Sequence, residues 1–261
     1  MKAIKSSSHS STNRKVFEIL ADYDLSGKKI LDIGAGRGHM SQRIGEHIKQ
    51  IGYEPSEYLT ACDLFPKFFE YNAIKCLKLD FAHTLPFENN SFDIVYALEV
   101  IEHLQNPYDF LSEACRILRP DGFLLLTTPN ILNLTSRMSY LLNGFFSLFG
   151  PLSFDFADRR RQHGHIMPLN YYYIYYALKK DNCYSIGLAS DRYKKSSIVL
   201  FGVLNLFLKT ASYKLQSRIR KKHPDIYQDN SEVLPLINSF DLCCSRSIIV
   251  SARKQNSGKD N

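Results

Sequence analysis

No two of the six cysteines stand at Cys-x-x-Cys spacing: Cys62, Cys76, Cys115 and Cys183 are scattered, and Cys243 and Cys244 are adjacent. That excludes a zinc ribbon and a disulfide framework, and a reducing compartment is expected. An apolar h-region is missing as well. Met1 to Lys15 are polar and Ser-rich, so no secretory signal is expected. No internal repeat is visible, and no apolar run reaches the roughly 20 residues that a bilayer-spanning helix needs. What is present is ordinary: 261 residues, 44% hydrophobic and 23% charged. Such a chain suits a single globular domain with insertions and excludes wholesale disorder.

The net charge of +7 is unevenly placed. Residues 1–150 carry 15 basic and 17 acidic side chains, whereas residues 151–261 carry 18 basic and 9 acidic ones. A nucleic-acid partner would account for this, and so would an anionic membrane surface.

Along the first 130 residues, strand-like and helix-like stretches alternate. Lys28 to Ile33 is a short β-branched run that ends in Gly34-Ala35-Gly36-Arg37-Gly38, and His39 to Gln50 places Met40, Ile44, His47 and Ile48 at helical spacing. Tyr58 to Cys62, Ala73 to Leu79 and Phe92 to Leu98 read as further strands. A helix is expected from about Asn106 to Leu118, opened by Pro107 and ended by Pro120, after which Asp121-Gly122 turns into a strand from Phe123 to Thr128. This alternation builds a doubly wound, mostly parallel α/β sheet with right-handed crossovers. Beyond Pro129 the pattern changes. Asn130 to Met167 is long and mixed, Asn170 to Lys180 is a Tyr-rich helix candidate, and Cys183 to Ala189 and Ser247 to Ala252 are strand candidates. The expected organisation is one domain over 1–261. It has an N-terminal extension or helix (1–27), a ligand-binding core (28–130), helical inserts (131–170 and 192–243) and a loose tail (254–261).

The segment Ile30-Leu31-Asp32-Ile33-Gly34-Ala35-Gly36-Arg37-Gly38 carries the strongest signal. A strand running through three glycines into a helix lets main chain approach a ligand with no Cβ between. Dinucleotide sites want Gly-x-Gly-x-x-Gly, and here the third position is His39, with glycine one place early. Asp32, just before the loop, would repel a pyrophosphate and suit a cation such as a sulfonium. The chemistry points to S-adenosylmethionine. Asp63 lies at the tip of the second strand, where a carboxylate can accept from both ribose hydroxyls. Asp80 and Phe81 end the third, where they can meet an adenine amino group and ring face. Taken singly, each acid is more often a solvated strand end or a helix cap; together, at the carboxyl ends of successive strands, they converge on a ligand crevice.

With these residues in place the chain resembles the class I S-adenosylmethionine-dependent methyltransferases, in particular the ubiquinone-pathway O-methyltransferase-like group. The matching text is ILDIGAGRG (30–38), ACDLF (61–65), LDFAHTLPFENNSFDIVYALEVIEHL (79–104) and FLSEACRILRPDGFLLLTTPN (110–130). The resemblance implies a Rossmann-like, seven-stranded sheet with an antiparallel last strand. It also implies Gly34, Ala35, Gly36 and Gly38 at the methionine end of the cofactor and Asp63 with Leu64 at the ribose. Asp80 and Phe81 would then lie at the adenine, and Leu98 beneath the methionine portion.

Methyl transfer to a hydroxyl needs alignment, exclusion of water and a destination for the proton. Glu99, Glu102 and His103 stand at spacings that share one face of a helical turn. One reading places the acids at a helix start with His103 as a base or substrate contact. The other makes the three ligands of a divalent metal, which the resemblance to ubiquinone-pathway and small-RNA 2′-O-methyltransferases allows. Farther on, Arg159-Arg160-Arg161-Gln162-His163-Gly164-His165 is a basic loop. By resemblance His165, with His163 as the alternative, would line the substrate pocket.

Ile198 to Leu208 is the most apolar run and is too short to cross a bilayer. It is bracketed by Arg192, Lys194 and Lys195 and by Lys209, Lys214, Arg218, Arg220, Lys221 and Lys222. This is the composition of an interfacial segment on anionic headgroups, with 196–222 making the contact and Leu141 to Phe149 beside it. A lid or a dimer contact is the alternative. RNA is disfavoured, because the apolar run itself is aliphatic and Phe-rich. The expectation is therefore a cytoplasmic methyltransferase, peripheral at the inner face of a membrane, that acts on a small-molecule, glycan or lipid-linked acceptor. The rivals are an RNA 2′-O-methyltransferase and a non-catalytic scaffold of the same fold.

Overall fold

The computed structural model describes residues 4–6, 8–81, 84–154 and 164–256. In chain order these form α1 (Ser10–Ala21), β1 (Ile30–Ile33), α2 (His39–Gln50), α3 (Pro55–Tyr58), β2 (Leu59–Asp63), β3 (Cys76–Lys78), β4 (Phe92–Leu98), α4 (Pro107–Ile117) and β5 (Leu118–Pro129). Then follow α5 (Leu134–Asn143), α6 (Tyr171–Lys180), β6 (Cys183–Ser190), α7 (Lys195–Lys222), α8 (Pro224–Asp229), α9 (Phe240–Cys244) and β7 (Ser247–Lys254). The seven strands make one sheet in the order β3-β2-β1-β4-β5-β7-β6, mostly parallel with β7 antiparallel.

The chain divides into two compact units. The first takes the described residues of Met1–Thr128, Ala177–Leu188 and Ile249–Asn261, and the second those of Pro129–Tyr176 and Ala189–Ile248.

In the first unit the central strands are apolar at successive positions because helices cover both faces of a parallel sheet. All four residues of β1 are buried, as are Ile94, Val95, Tyr96 and Ala97 of β4 and Phe123 to Leu126 of β5. Helix α2 turns Met40, Ile44 and Ile48 inward as its spacing requires, but Ser41 and Gly45 complete the buried face in place of His47. Asn106 caps α4, whose first residue is Pro107. Two boundaries differ from the sequence reading. β5 starts at Leu118 and carries Pro120 within it, because Asp121 takes a left-handed conformation (φ 60°) and the register against β4 shifts between Phe92 and Ile94. Asp121-Gly122 is thus an irregularity inside a long strand. β7 runs through Lys254, one residue into the expected tail. Its Nζ donates to the carbonyl oxygens of Leu118 (2.8 Å) and Arg116 (3.1 Å).

In the second unit, Leu134, Leu208, Cys243 and Cys244 form a small core onto which Leu200, Phe201 and Leu204 pack. Asn130 ties its ends together, donating to the carbonyls of Leu242 (2.8 Å) and Ser245 (3.1 Å). The apolar run Ile198 to Leu208 is the first half of α7, a 28-residue helix. Among the described residues α7 is the one helix long and apolar enough to cross a membrane, with mean hydropathy 1.4 over 18 residues of which 6% are buried. Its length revises the reading of that run as an isolated short segment.

Candidate active site

Within the first unit, β1 lies between β2 and β4, and the chain leaves it toward β2 and β3 on one side and β4 and β5 on the other. That reversal opens a crevice beyond the carboxyl ends of the strands, where sheets of this kind bind ligands. The register places the tips side by side: Ile33 pairs with Cys62 and with Ala97, and Asp63 pairs with Lys78. Neighbouring strands lie about 4.8 Å apart, so the tips of β3, β2, β1 and β4 span about 14 Å. Along that edge the order is Asp80, Asp63, Gly34 and Leu98.

The loop after β1 is built from main chain. The amides of Gly34 and Ala35 both donate to the carbonyl of Cys62 (2.9 and 3.1 Å), and Gly36 donates to Oδ2 of Asp63 (2.8 Å). The other Asp63 oxygen accepts from Phe65 N (2.7 Å). The carboxylate is half-buried and held at a fixed angle, and each oxygen keeps a lone pair for a further donor. Gly34, Gly36 and Gly38 all have positive φ. At two of them the space of a Cβ belongs to the protein: Val100 Cγ2 would lie 2.4 Å from one at Gly34, and the Phe69 ring 2.7 Å from one at Gly38. The triplet serves loop conformation and close packing before any ligand arrives. Gly34, Ala35 and Gly36 are half-buried, while Gly38 is buried as the residue that opens α2.

Asp32 is buried. Ser41 Oγ donates to its Oδ2 at 2.5 Å, which ties β1 to α2 beneath the loop. Burial pushes its pKa up to about 7, against the hydrogen bond from Ser41. Leu64 is exposed, Asp80 is exposed just beyond β3, and Phe81 and Leu98 are half-buried.

Glu99, Glu102 and His103 do not share one helical turn. Glu99 has φ 55°, and only Ile101–His103 forms a tight 3₁₀ turn. The Glu99 amide donates to the Thr127 carbonyl (3.1 Å), and Thr127 Oγ1 donates to Glu99 Oε1 (3.1 Å). Glu102 is 0% exposed and accepts from Thr128 Oγ1 at 3.2 Å. Burial first, and the neighbouring Glu99 carboxylate second, push its pKa well above the ordinary carboxylate range. His103 is half-buried on the same turn. The donor types suit a divalent ion; burial beside Glu99 favours the protonated form of Glu102, whereas an ion would hold it ionised.

His165 belongs to the second unit, where it is half-buried with its ring 5.2 Å from that of Phe149. Arg159 to His163 lie outside the described residues. Thr127, Thr128 and Ser41, which hold the three acids, were not singled out from sequence. The Thr-Thr pair at the end of a strand facing Glu99 was the available signal.

Residues 31–126 match a family described as "Methyltransferase domain". Just over a third of the chain, the part that holds β1 to β5, is thus similar to a methyltransferase domain. The chain is 33% identical over 113 residues to a mitochondrial ubiquinone biosynthesis O-methyltransferase of Schizosaccharomyces pombe, covering 40% of this chain and 39% of that protein. It is 35% identical over 113 residues to a tRNA U34 carboxymethyltransferase of Pseudoalteromonas atlantica, covering 40% and 32%. The chain thus spans less than half the length of either relative. In fold it is similar to a SAM dependent methyltransferase from Archaeoglobus fulgidus at 15% identity, with a TM-score of 0.53 over 93% of this chain and 94% of that one. The methyltransferase domain match coincides with the strands and loops that carry Asp32, the glycines, Asp63, Asp80 and Glu99 to His103.

Proposed function

We propose that the chain is an S-adenosylmethionine-dependent methyltransferase that O-methylates a small-molecule, glycan or lipid-linked acceptor. The observation that carries this reading is the Asp63 carboxylate at the tip of β2, fixed against Gly36 in the loop that leaves β1 beside the β1/β4 switch point. Bound there, S-adenosylmethionine supplies a methyl group already activated by a sulfonium. Asp63 accepts from the ribose hydroxyls with the lone pairs that Gly36 and Phe65 leave over. Gly34, Ala35 and Gly36 present main chain to the methionine end, and Leu98 covers it. Asp80 accepts from the adenine amino group beside the Phe81 ring, with Leu64 next to the ribose. Asp32 sets the loop from below.

His103 takes the proton that the acceptor hydroxyl releases, and Thr127 and Thr128 fix the turn that carries it by holding Glu99 and Glu102. A role for His165 as an acceptor contact rests on the sequence resemblance alone. We place the working protein at the cytoplasmic face of an anionic membrane, touching it through 196–222, because that segment couples an apolar run to cations.

The test is a turnover screen with labelled cofactor against lipid, glycan, quinone-precursor and RNA pools, with and without chelator. Label entering a lipid, glycan or quinone-precursor pool is expected. Transfer confined to RNA would favour the alternative that the tRNA-modifying relative and the basic C-terminal half suggest. Purified protein that shows no heat of binding with S-adenosylhomocysteine would overturn the reading and leave the scaffold.

A further inference from the structure

Helix α7 is divided along its length on a single face. Successive residues of an α-helix are turned by about 100°, so Val199, Val203, Leu206 and Phe207 lie on one side. The same arithmetic puts Lys214, Arg218 and Lys221 on the continuation of that side. All seven are exposed, Leu206 at 79% and Phe207 at 71%. The adjoining side is accounted for within the second unit: Leu200, Phe201, Leu204 and Leu208 pack with Leu134, Cys243 and Cys244. The outer face is thus apolar over the first half of the helix and cationic over the second.

The basic half also shapes a shallow hollow of ≈ 320 Å³ whose lining includes Lys214, Arg218, Lys221 and Lys222. No Asp or Glu stands between Arg192 and Pro224. Among the described residues, none of Lys214, Arg218 and Lys221 takes part in an ion pair. Lys195 and Lys209 bracket 13 residues, about 20 Å of helix, against a hydrocarbon layer about 30 Å thick. With one side already packed and cations at both ends of the apolar half, α7 is not built to span that layer. A face whose apolar and cationic parts follow one another along the axis fits a surface with the same sequence in depth, acyl chains below and anionic phosphates above.

We propose that α7 enters an anionic bilayer obliquely. Its first half is sunk to the acyl boundary by Val199, Val203, Leu206 and Phe207, and its second half is held at the phosphates by Lys214, Arg218 and Lys221. This rests on the reading above that 196–222 touches a membrane, and it adds the depth and direction of the contact. The partner is the lipid surface rather than a second copy of the chain, because the same helix of a second copy offers no carboxylate to Lys214, Arg218 and Lys221, whereas an anionic headgroup layer meets them with phosphates.

The sequence contains no tryptophan, so one introduced residue reports alone. Phe207→Trp, Ser217→Trp and, as a control in the first unit, Phe68→Trp are to be mixed with vesicles of phosphatidylcholine and phosphatidylglycerol, plain or brominated at defined acyl depths. The Phe207→Trp emission is expected to shift to the blue and to be quenched by bromines in the acyl chains. Ser217→Trp is expected to respond only at headgroup depth, and Phe68→Trp not at all. Neutralising the three cations (Lys214→Gln, Arg218→Gln, Lys221→Gln) is expected to lower partitioning about 100-fold, since each contributes about fivefold near an anionic surface. Equal quenching at 207 and 217 would overturn oblique entry while leaving membrane contact intact. Failure of the unaltered chain to sediment with the vesicles would remove both. A blue-shifted Phe207→Trp spectrum and a doubled mass without lipid would replace the bilayer with a second copy.

Discussion

The amide of Gly36 donates to Oδ2 of Asp63 at 2.8 Å, joining the loop after β1 to the tip of β2. The second Asp63 oxygen is engaged by Phe65 N at 2.7 Å, so the acid holds the shape of the site before it meets a ligand. Asp63→Ala leaves two amides without their acceptor and removes the acceptor for the ribose hydroxyls. A hydrogen bond to a charged group contributes about 1.5–3 kcal/mol. Loss of two such bonds to the cofactor is expected to weaken S-adenosylhomocysteine binding by about 100-fold or more in calorimetry. Near-native affinity would remove Asp63 from the cofactor site.

Gly34 couples the loop to the turn after β4. Its φ of 74° is costly for any side chain, and a Cβ there would stand 2.4 Å from Val100 Cγ2. Gly34→Ala is expected to cost about 1–2 kcal/mol for the left-handed backbone, plus the contact with Val100. Val100→Ala in the same chain relieves the contact and not the backbone. A double-mutant cycle from urea midpoints should therefore show partial recovery. Strict additivity would mean that the loop shifts away from Val100 on substitution.

Much of this was legible in the sequence, and the limits have physical causes. The helical spacing of Met40, Ile44 and Ile48 and the continuous apolar run of β4 gave those elements correctly, because buried faces are written in periodicity. Asp121 and Glu99 misled for one reason: a non-glycine residue at positive φ carries no signal in its name. At Asp121 it puts an irregularity within β5 where a helix-to-strand turn is expected, and at Glu99 it separates three residues whose spacing suggests one helical face. Long-range partners were equally hidden. That Ser41 would meet Asp32, or Thr127 meet Glu99, depends on how strands and helices are brought together. Helix α7 was seen only as its apolar half, since its cationic half looks in sequence like an unrelated charge cluster.

Asp32 gives the protein a pH dependence of defined sign. Its folded pKa of about 7 lies above the ordinary 3.8 because of burial. Between these values the folded chain holds a proton that the unfolded chain has lost, so stability falls as pH rises from about 4 to about 7 and is flat beyond. The contribution is at most about 4 kcal/mol over that window. Asp32→Asn keeps an acceptor for Ser41 and cannot titrate. Urea denaturation of this variant should lose that part of the slope and match or exceed the native chain at pH 8. An unchanged slope would mean that Asp32 is ionised in the fold.

Glu102 separates a held proton from a bound ion at the turn that carries His103. Wholly buried beside Glu99, it is expected to stay neutral, since two facing carboxylates in low dielectric do not both ionise. Gln has the same shape, keeps an acceptor for Thr128 and carries no charge. Glu102→Gln is therefore expected to fold with stability within about 1 kcal/mol of native at low pH, to gain on the native chain as pH rises above about 4.5, and to retain methyl transfer that chelator does not affect. A divalent ion at Glu99, Glu102 and His103 would demand the opposite: an ionised Glu102, native activity abolished by chelator and restored by added ion, and a Gln variant that neither binds the ion nor turns over. Urea denaturation across pH, read beside turnover with and without chelator, distinguishes the two arrangements. The stability arm reports on the carboxyl even if no acceptor has yet been found.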